Sequence, residues 1–157
     1  MHMNLMRSSW TPGPDHGRDG PVLVSVTDFR LDTVLDLPGV HRAARRLAAG
    51  WPELDGAHGM WLWARPAARR CGAVAVWQDE AALHRFVAWP PHVEIMRAYR
   101  NRGVLTSTTW RSDAFDPIET WARARTILLA RDGRGPRSGK PGDPAAPSPT
   151  ARDSGAR

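Results

Sequence analysis

The stretch Val76-Trp77-Gln78-Asp79-Glu80-Ala81-Ala82-Leu83, followed by Phe86 and then Trp89-Pro90-Pro91-His92, decides how this chain reads. An alternating β-branched run ends at Trp77. Asp79 is then a helix N-cap residue, with Glu80 in the first turn. Leu83, Phe86 and Val87 fall on one helical face. Proline removes a backbone donor and restricts the residue before it, so Trp89-Pro90-Pro91 must break or kink that helix. Helical spacing resumes from His92 to Arg102, with Val93, Met96 and Tyr99 at helical intervals.

Working outward, Met60-Trp61-Leu62-Trp63 and Ala73-Val74-Ala75-Val76-Trp77 read as two strands of a hairpin, with a polar connection between them. Upstream, Val22, Val24 and Val26 alternate as a half-buried strand. Leu37 to Leu54 changes to helical spacing, with Asp36 as its N-cap and Pro38 just inside. Downstream, Val104 to Arg111 is a β-branched strand, and Asp116-Pro117 opens a last helix. The order is β-α-β-β-α-β plus a terminal helix. That is a ferredoxin-like α+β unit, an antiparallel sheet with both helices on one face. The other sheet face is expected to be bare in a monomer, which predicts a homodimer.

The chain has 157 residues, enough for one domain. The folded domain is expected over residues 21–131. Residues 1–20 show no hydrophobic period, and residues 132–157 contain no Val, Ile, Leu, Phe, Trp or Tyr, so both ends read as disordered segments. The net charge is +6, but no block of like charge is long enough for a nucleic-acid arm. A single cysteine, Cys71, excludes an internal disulfide and a cysteine-built zinc site. No apolar run is long enough to span a membrane. Residues 1–12 lack a signal-peptide pattern, so the expected compartment is the cytoplasm.

The string from Val76 to Leu83, with Phe86 and Pro91-His92, resembles the antibiotic biosynthesis monooxygenase-like family of dimeric α+β barrels. The resemblance implies a small-molecule pocket between sheet and helices of one protomer, involving Trp77, Phe86 and His92. It implies a tailoring enzyme of secondary metabolism. The first activity it points to is a cofactor-independent monooxygenase acting on an aromatic, polyketide-like substrate. Its alternatives are a cyclase, isomerase or dehydratase, a haem-binding oxygenase, or a non-catalytic small-molecule-binding dimer.

Eight tryptophans against three phenylalanines and one tyrosine favour the stacking of flat rings. Trp63, Trp77 and Trp110 on strands, with Phe86, Met96 and Tyr99, are the candidate substrate-binding residues; the alternative is that the tryptophans fill the core. His92 is the candidate catalytic base, since imidazole titrates near neutral pH. If haem binds, His92 is its ligand; otherwise no cofactor is needed. No metal-ligand spacing, nucleophile elbow or Gly-rich phosphate loop is present. His41 and His84 read as solvent-facing and His58 as a turn residue. Asp28 and Arg111 read as strand-end residues that could instead meet substrate. The hydroxyls of Thr106, Ser107, Thr108 and Thr109 either serve a pocket or reflect β propensity alone.

Overall fold

A computed structural model describes residues 4–132. Four long strands make the sheet: β3 (Val22–Leu31), β4 (Ala57–Arg65), β5 (Arg70–Trp77) and β6 (Gly103–Ser112). Two short strands, β1 (Met6–Arg7) and β2 (Thr11–Pro12), both pair with β4. The order is β1-β4-β5-β3-β6, antiparallel throughout. The helices are α1 (Leu37–Ala49), α2 (Glu80–Ala88), α3 (Pro90–Tyr99) and α4 (Pro117–Ala130). The ferredoxin-like order is the one expected, with the extra helix at the end. The double proline splits α2 from α3 at Trp89, whose backbone is extended. Asp79 caps α2 by accepting from the Ala82 N–H at 2.9 Å. Asp36 does not cap α1 with its side chain; its carboxylate pairs with Arg102 at 2.8 Å instead.

Alternation along β3 sends its residues to two different cores. Leu23, Ser25, Thr27 and Phe29 face α1, α2 and α3. Val22, Val24 and Val26 face the other way, with Trp61, Trp63, Val74, Val76 and Trp110. That second face is not bare, which corrects the premise of the homodimer. Ala124 and Leu128 of α4 are fully buried against it, and Trp121 and Ile127 pack alongside. One more helix in the same chain removes the apolar surface that called for a partner.

The N-terminal segment, expected to be disordered, lies along β4 and completes this cover. Trp10 stacks on Phe115 at 5.1 Å between centroids and meets Trp61 edge-on at 4.5 Å. A Cβ at Gly59 would sit 2.2 Å from the Trp10 ring, so only glycine permits this approach. The segment shows no sequence period because isolated anchors, Leu5 and Trp10, carry the packing. The tail expected to be disordered lies, from residue 133 on, outside the described residues.

A buried ionic lattice pins α4 down. Arg70, 1% exposed, binds Asp28 through two nitrogens, at 2.5 and 3.1 Å, and donates to the Leu128 carbonyl at 2.9 Å. It also contacts Asp132. Arg131 donates to the hydroxyls of Thr106 and Thr108 at 2.7 and 2.6 Å. Asp28 is therefore committed to structure on the face away from α1–α3. Arg111 is exposed and faces Glu80 at 3.4 Å.

Candidate functional site

Between the sheet and α1, α2 and α3 lies an open cavity of about 350 Å³. Its floor is the Ser25–Phe29 face of β3, with Ala73 and Ala75 of β5 and Met60 and Leu62 of β4. Its roof comes from Val40, Ala44 and Leu47 of α1, Phe86 of α2, and His92, Met96 and Tyr99 of α3. On one side it reaches β6, the sheet edge, through Leu105, Ser107 and Thr109. The surround is overwhelmingly apolar, and a volume near the lower end for ligand pockets suits a compact flat molecule.

Five of the seven candidate residues meet here: Trp63, Phe86, His92, Met96 and Tyr99 line the cavity. Trp77 and Trp110 do not, and this corrects their expected place. Trp77 is fully buried beside Trp51 and Phe86, at 4.9 and 5.1 Å between centroids, and donates to the Ser25 hydroxyl at 3.0 Å. It stands on the cavity side of the sheet, packed beside the cavity against α2. Trp110 is opposite Val24 in the sheet and faces α4, where Arg123 sits 4.7 Å from its ring. Trp63 points mainly to the α4 face, yet its indole N–H donates to the Thr27 carbonyl at 3.0 Å. It reaches the floor because β3 and β5 pair at Val26/Val74 and again at Phe29/Cys71 but not between. Gly72 lies in this interruption. A Cβ there would stand 1.9 Å from the Thr27 oxygen, so the crossing requires glycine.

The break at Pro90-Pro91 places His92 in the first turn of α3. Its ring lies 4.5 Å from Phe86, centroid to centroid. Nδ1 is 3.1 Å from the Val87 carbonyl oxygen. A carbonyl only accepts, so Nδ1 carries the proton and Nε2 presents its lone pair. Burial pushes the imidazole pKa below its ordinary value, against a smaller opposing effect of the Val87 bond. The neutral, basic form is therefore the one present at neutral pH.

His41 is exposed, as expected, and also lines the open cavity, with Arg45 donating to its Nε2 at 2.9 Å. His58 is buried in β4, and burial lowers its pKa. His84 is exposed, as expected. Among the described residues no cluster of three or more His, Cys, Asp or Glu could hold a metal, and no helix is long and apolar enough to cross a membrane.

Cys71 also lines the cavity. Burial, helped by the charge of Asp28, pushes its thiol up to about 11. The native protein should therefore react with a disulfide reagent at pH 8 on the order of 100-fold more slowly than a free thiol. A rate equal to that of the urea-unfolded chain would contradict the burial.

An antiparallel sheet with α1, α2 and α3 over one face, and a largely apolar cavity between them, defines a ferredoxin-like α+β fold. The same fold occurs in antibiotic biosynthesis monooxygenase-like proteins. A variant of SnoaB, a cofactor-independent oxygenase from Streptomyces nogalater, superposes with a TM-score of 0.51 at 20% identity, over 61% of this chain and 97% of that one. A protein of Nitrosomonas europaea, provisionally assigned as an antibiotic biosynthesis monooxygenase, gives 0.53 at 8% identity, over 63% and 95%. A provisionally assigned monooxygenase of Lactobacillus acidophilus gives 0.51 at 11% identity, over 68% of this chain and 53% of that protein, about half its length. No protein-family model matches the chain, and no curated protein does.

Proposed function

We propose that this protein is a cofactor-independent oxygenase acting on a flat aromatic substrate with an acidic C–H, of the anthrone type. The observation that carries this reading is His92: Nδ1 held by the Val87 carbonyl, Nε2 without a partner among the described residues, the ring in the wall of an apolar cavity. The fold shared with SnoaB supports the same reading. Nε2 takes a proton from the methylene carbon of the substrate. The carbanion passes an electron to dioxygen, the two radicals combine at carbon as a peroxide anion, and this takes the proton back from Nε2. Loss of water leaves a ketone. One anthrone and one dioxygen thus give one anthraquinone and one water, with the substrate as the only reductant. Phe86, Met96 and Tyr99 hold the ring and exclude water around the carbanion.

The base must be neutral to act, and burial favours neutrality. The acid limb of the turnover–pH profile should therefore fall below about pH 6.5, the ordinary midpoint of histidine. A limb at or above that pH would contradict a buried His92 base.

Haem is the second reading, because an imidazole oriented by a carbonyl is also a good metal donor. The cavity fits it poorly. It is small for a tetrapyrrole, and one arginine, Arg100, lines it to meet two carboxylates. Titration with haem should leave the free-haem spectrum unchanged; a sharp Soret band lost in His92→Ala would reverse the order of the two readings.

A further inference from the structure

The floor of the cavity is chemically two-sided. Toward β4 and β5 it is Met60, Leu62, Ala73 and Ala75. Toward the β6 edge it carries hydroxyls: Ser25 lies directly opposite Thr109 in the sheet, and Thr27 opposite Ser107. Thr27 is spent, since its Oγ1 accepts from the Ala73 N–H at 3.0 Å and donates to the Ala73 carbonyl at 3.4 Å. The other three are not.

Ser25 is the telling case. It is 6% exposed and accepts from the Trp77 indole at 3.0 Å. Indole N–H only donates, so the serine oxygen is the acceptor and its own proton needs another partner. Among the described residues it has none, and the side chain lines the cavity. A buried hydroxyl donor without an acceptor is costly unless something fills the site. Along β6 the hydroxyls divide by face, with Ser107 and Thr109 exposed at the sheet edge. Thr106 and Thr108, on the α4 face, both accept from Arg131. Ser107 and Thr109, on the cavity face, have no side-chain hydrogen bond within the described residues.

We infer that Ser25, Ser107 and Thr109 form a hydroxyl rail that binds the oxygen-bearing edge of a flat ligand, while its hydrocarbon body lies over Ala73 and Ala75. Directly opposed residues stand about 5 Å apart and alternate residues about 7 Å. That scale suits the oxygens carried on the two outer rings of a linear fused three-ring system. The inference rests on the reading of the cavity as a substrate site, and narrows the substrate class to aromatics with oxygens grouped along one edge. Trp77 acts through Ser25 as a positioning residue, fixing which way that hydroxyl points.

The test is equilibrium binding of two unreactive probes, 1,8-dihydroxyanthraquinone and anthracene, which has the same rings without oxygen, read by tryptophan quenching. The wild type should prefer the dihydroxy probe. The Ser107→Ala/Thr109→Val pair, on an exposed edge, should lose roughly 3–10-fold in affinity for that probe, the size of a neutral hydrogen bond. The loss for anthracene, which has no oxygen to bind, should be the smaller of the two. Ser25→Ala in a Trp77→Phe background removes both ends of the buried bond and should behave alike. Equal affinity for both probes in wild type, or a preference that survives both variants, would overturn the rail and leave the cavity standing. Binding of neither probe would overturn the rail together with the substrate-site reading.

Discussion

His92→Ala should lower turnover of an oxidisable anthrone by about 10²–10⁴-fold, the usual contribution of a positioned general base. The loss should fall mainly on kcat, because Phe86, Met96 and Tyr99 still hold the ring. Stability should change little. The side chain makes one hydrogen bond, to the Val87 carbonyl near the surface, and no ion pair within the described residues. His92→Gln should be equally inactive, since an amide is no base at neutral pH. Turnover within threefold of wild type in both variants, checked by steady-state rates, would remove His92 from the chemistry. His41 would then be the imidazole to test, because it lines the same cavity.

Arg70→Leu should cost about 3–5 kcal/mol of unfolding free energy, the penalty for stranding a buried charge. Asp28 is 4% exposed and draws two of its contacts from this one guanidinium. The Leu128 carbonyl would lose its side-chain donor at the same time. Arg131 stands 3.5 Å from Asp28, too far to replace the paired fork. Changing Asp28→Leu together with Arg70→Leu should recover most of the loss, because an apolar pair needs no compensation. Urea unfolding of the three variants checks this. A loss under 1 kcal/mol in the single variant would mean that the lattice does not anchor α4.

The two predictions sit on opposite faces of one sheet, and the sequence made those faces unequally legible. Strand and helix order was readable because the local signals agree: the cap at Asp79, the break at Pro90-Pro91, and the β-branched runs on either side. Parity showed that Trp61 and Trp63 share a face. It did not show which face, because that depends on where α4 lands. Trp110 was misplaced for the same reason. Its register opposite Val24, not its residue type, sends it to α4. The resemblance draws Trp77 toward the pocket; it lies in the same layer but is packed in between Trp51 and Phe86, and meets the cavity only through Ser25.

The N-terminal arm was invisible to periodicity, since two side chains hold it. The ion lattice was invisible too. Asp28, Arg70 and Arg131 are far apart in sequence, and nothing local distinguishes them from solvated charges. His41 is exposed, as its neighbour Arg42 suggests, and a helix over a cavity mouth can present one residue to both solvent and cavity. Ser25 carried a signal that could have been used: it is a hydroxyl in the same parity as Leu23 and Phe29, both buried.

The most direct measurement is oxygen uptake by the protein freed of haem and metal, with 1,8-dihydroxyanthrone as substrate and spontaneous oxidation subtracted. The predicted result is one dioxygen consumed for each anthraquinone formed, at a rate proportional to protein and with no Soret band. Uptake no faster than the spontaneous rate, or uptake that begins only after haem is added, would contradict a cofactor-independent oxygenase built on His92.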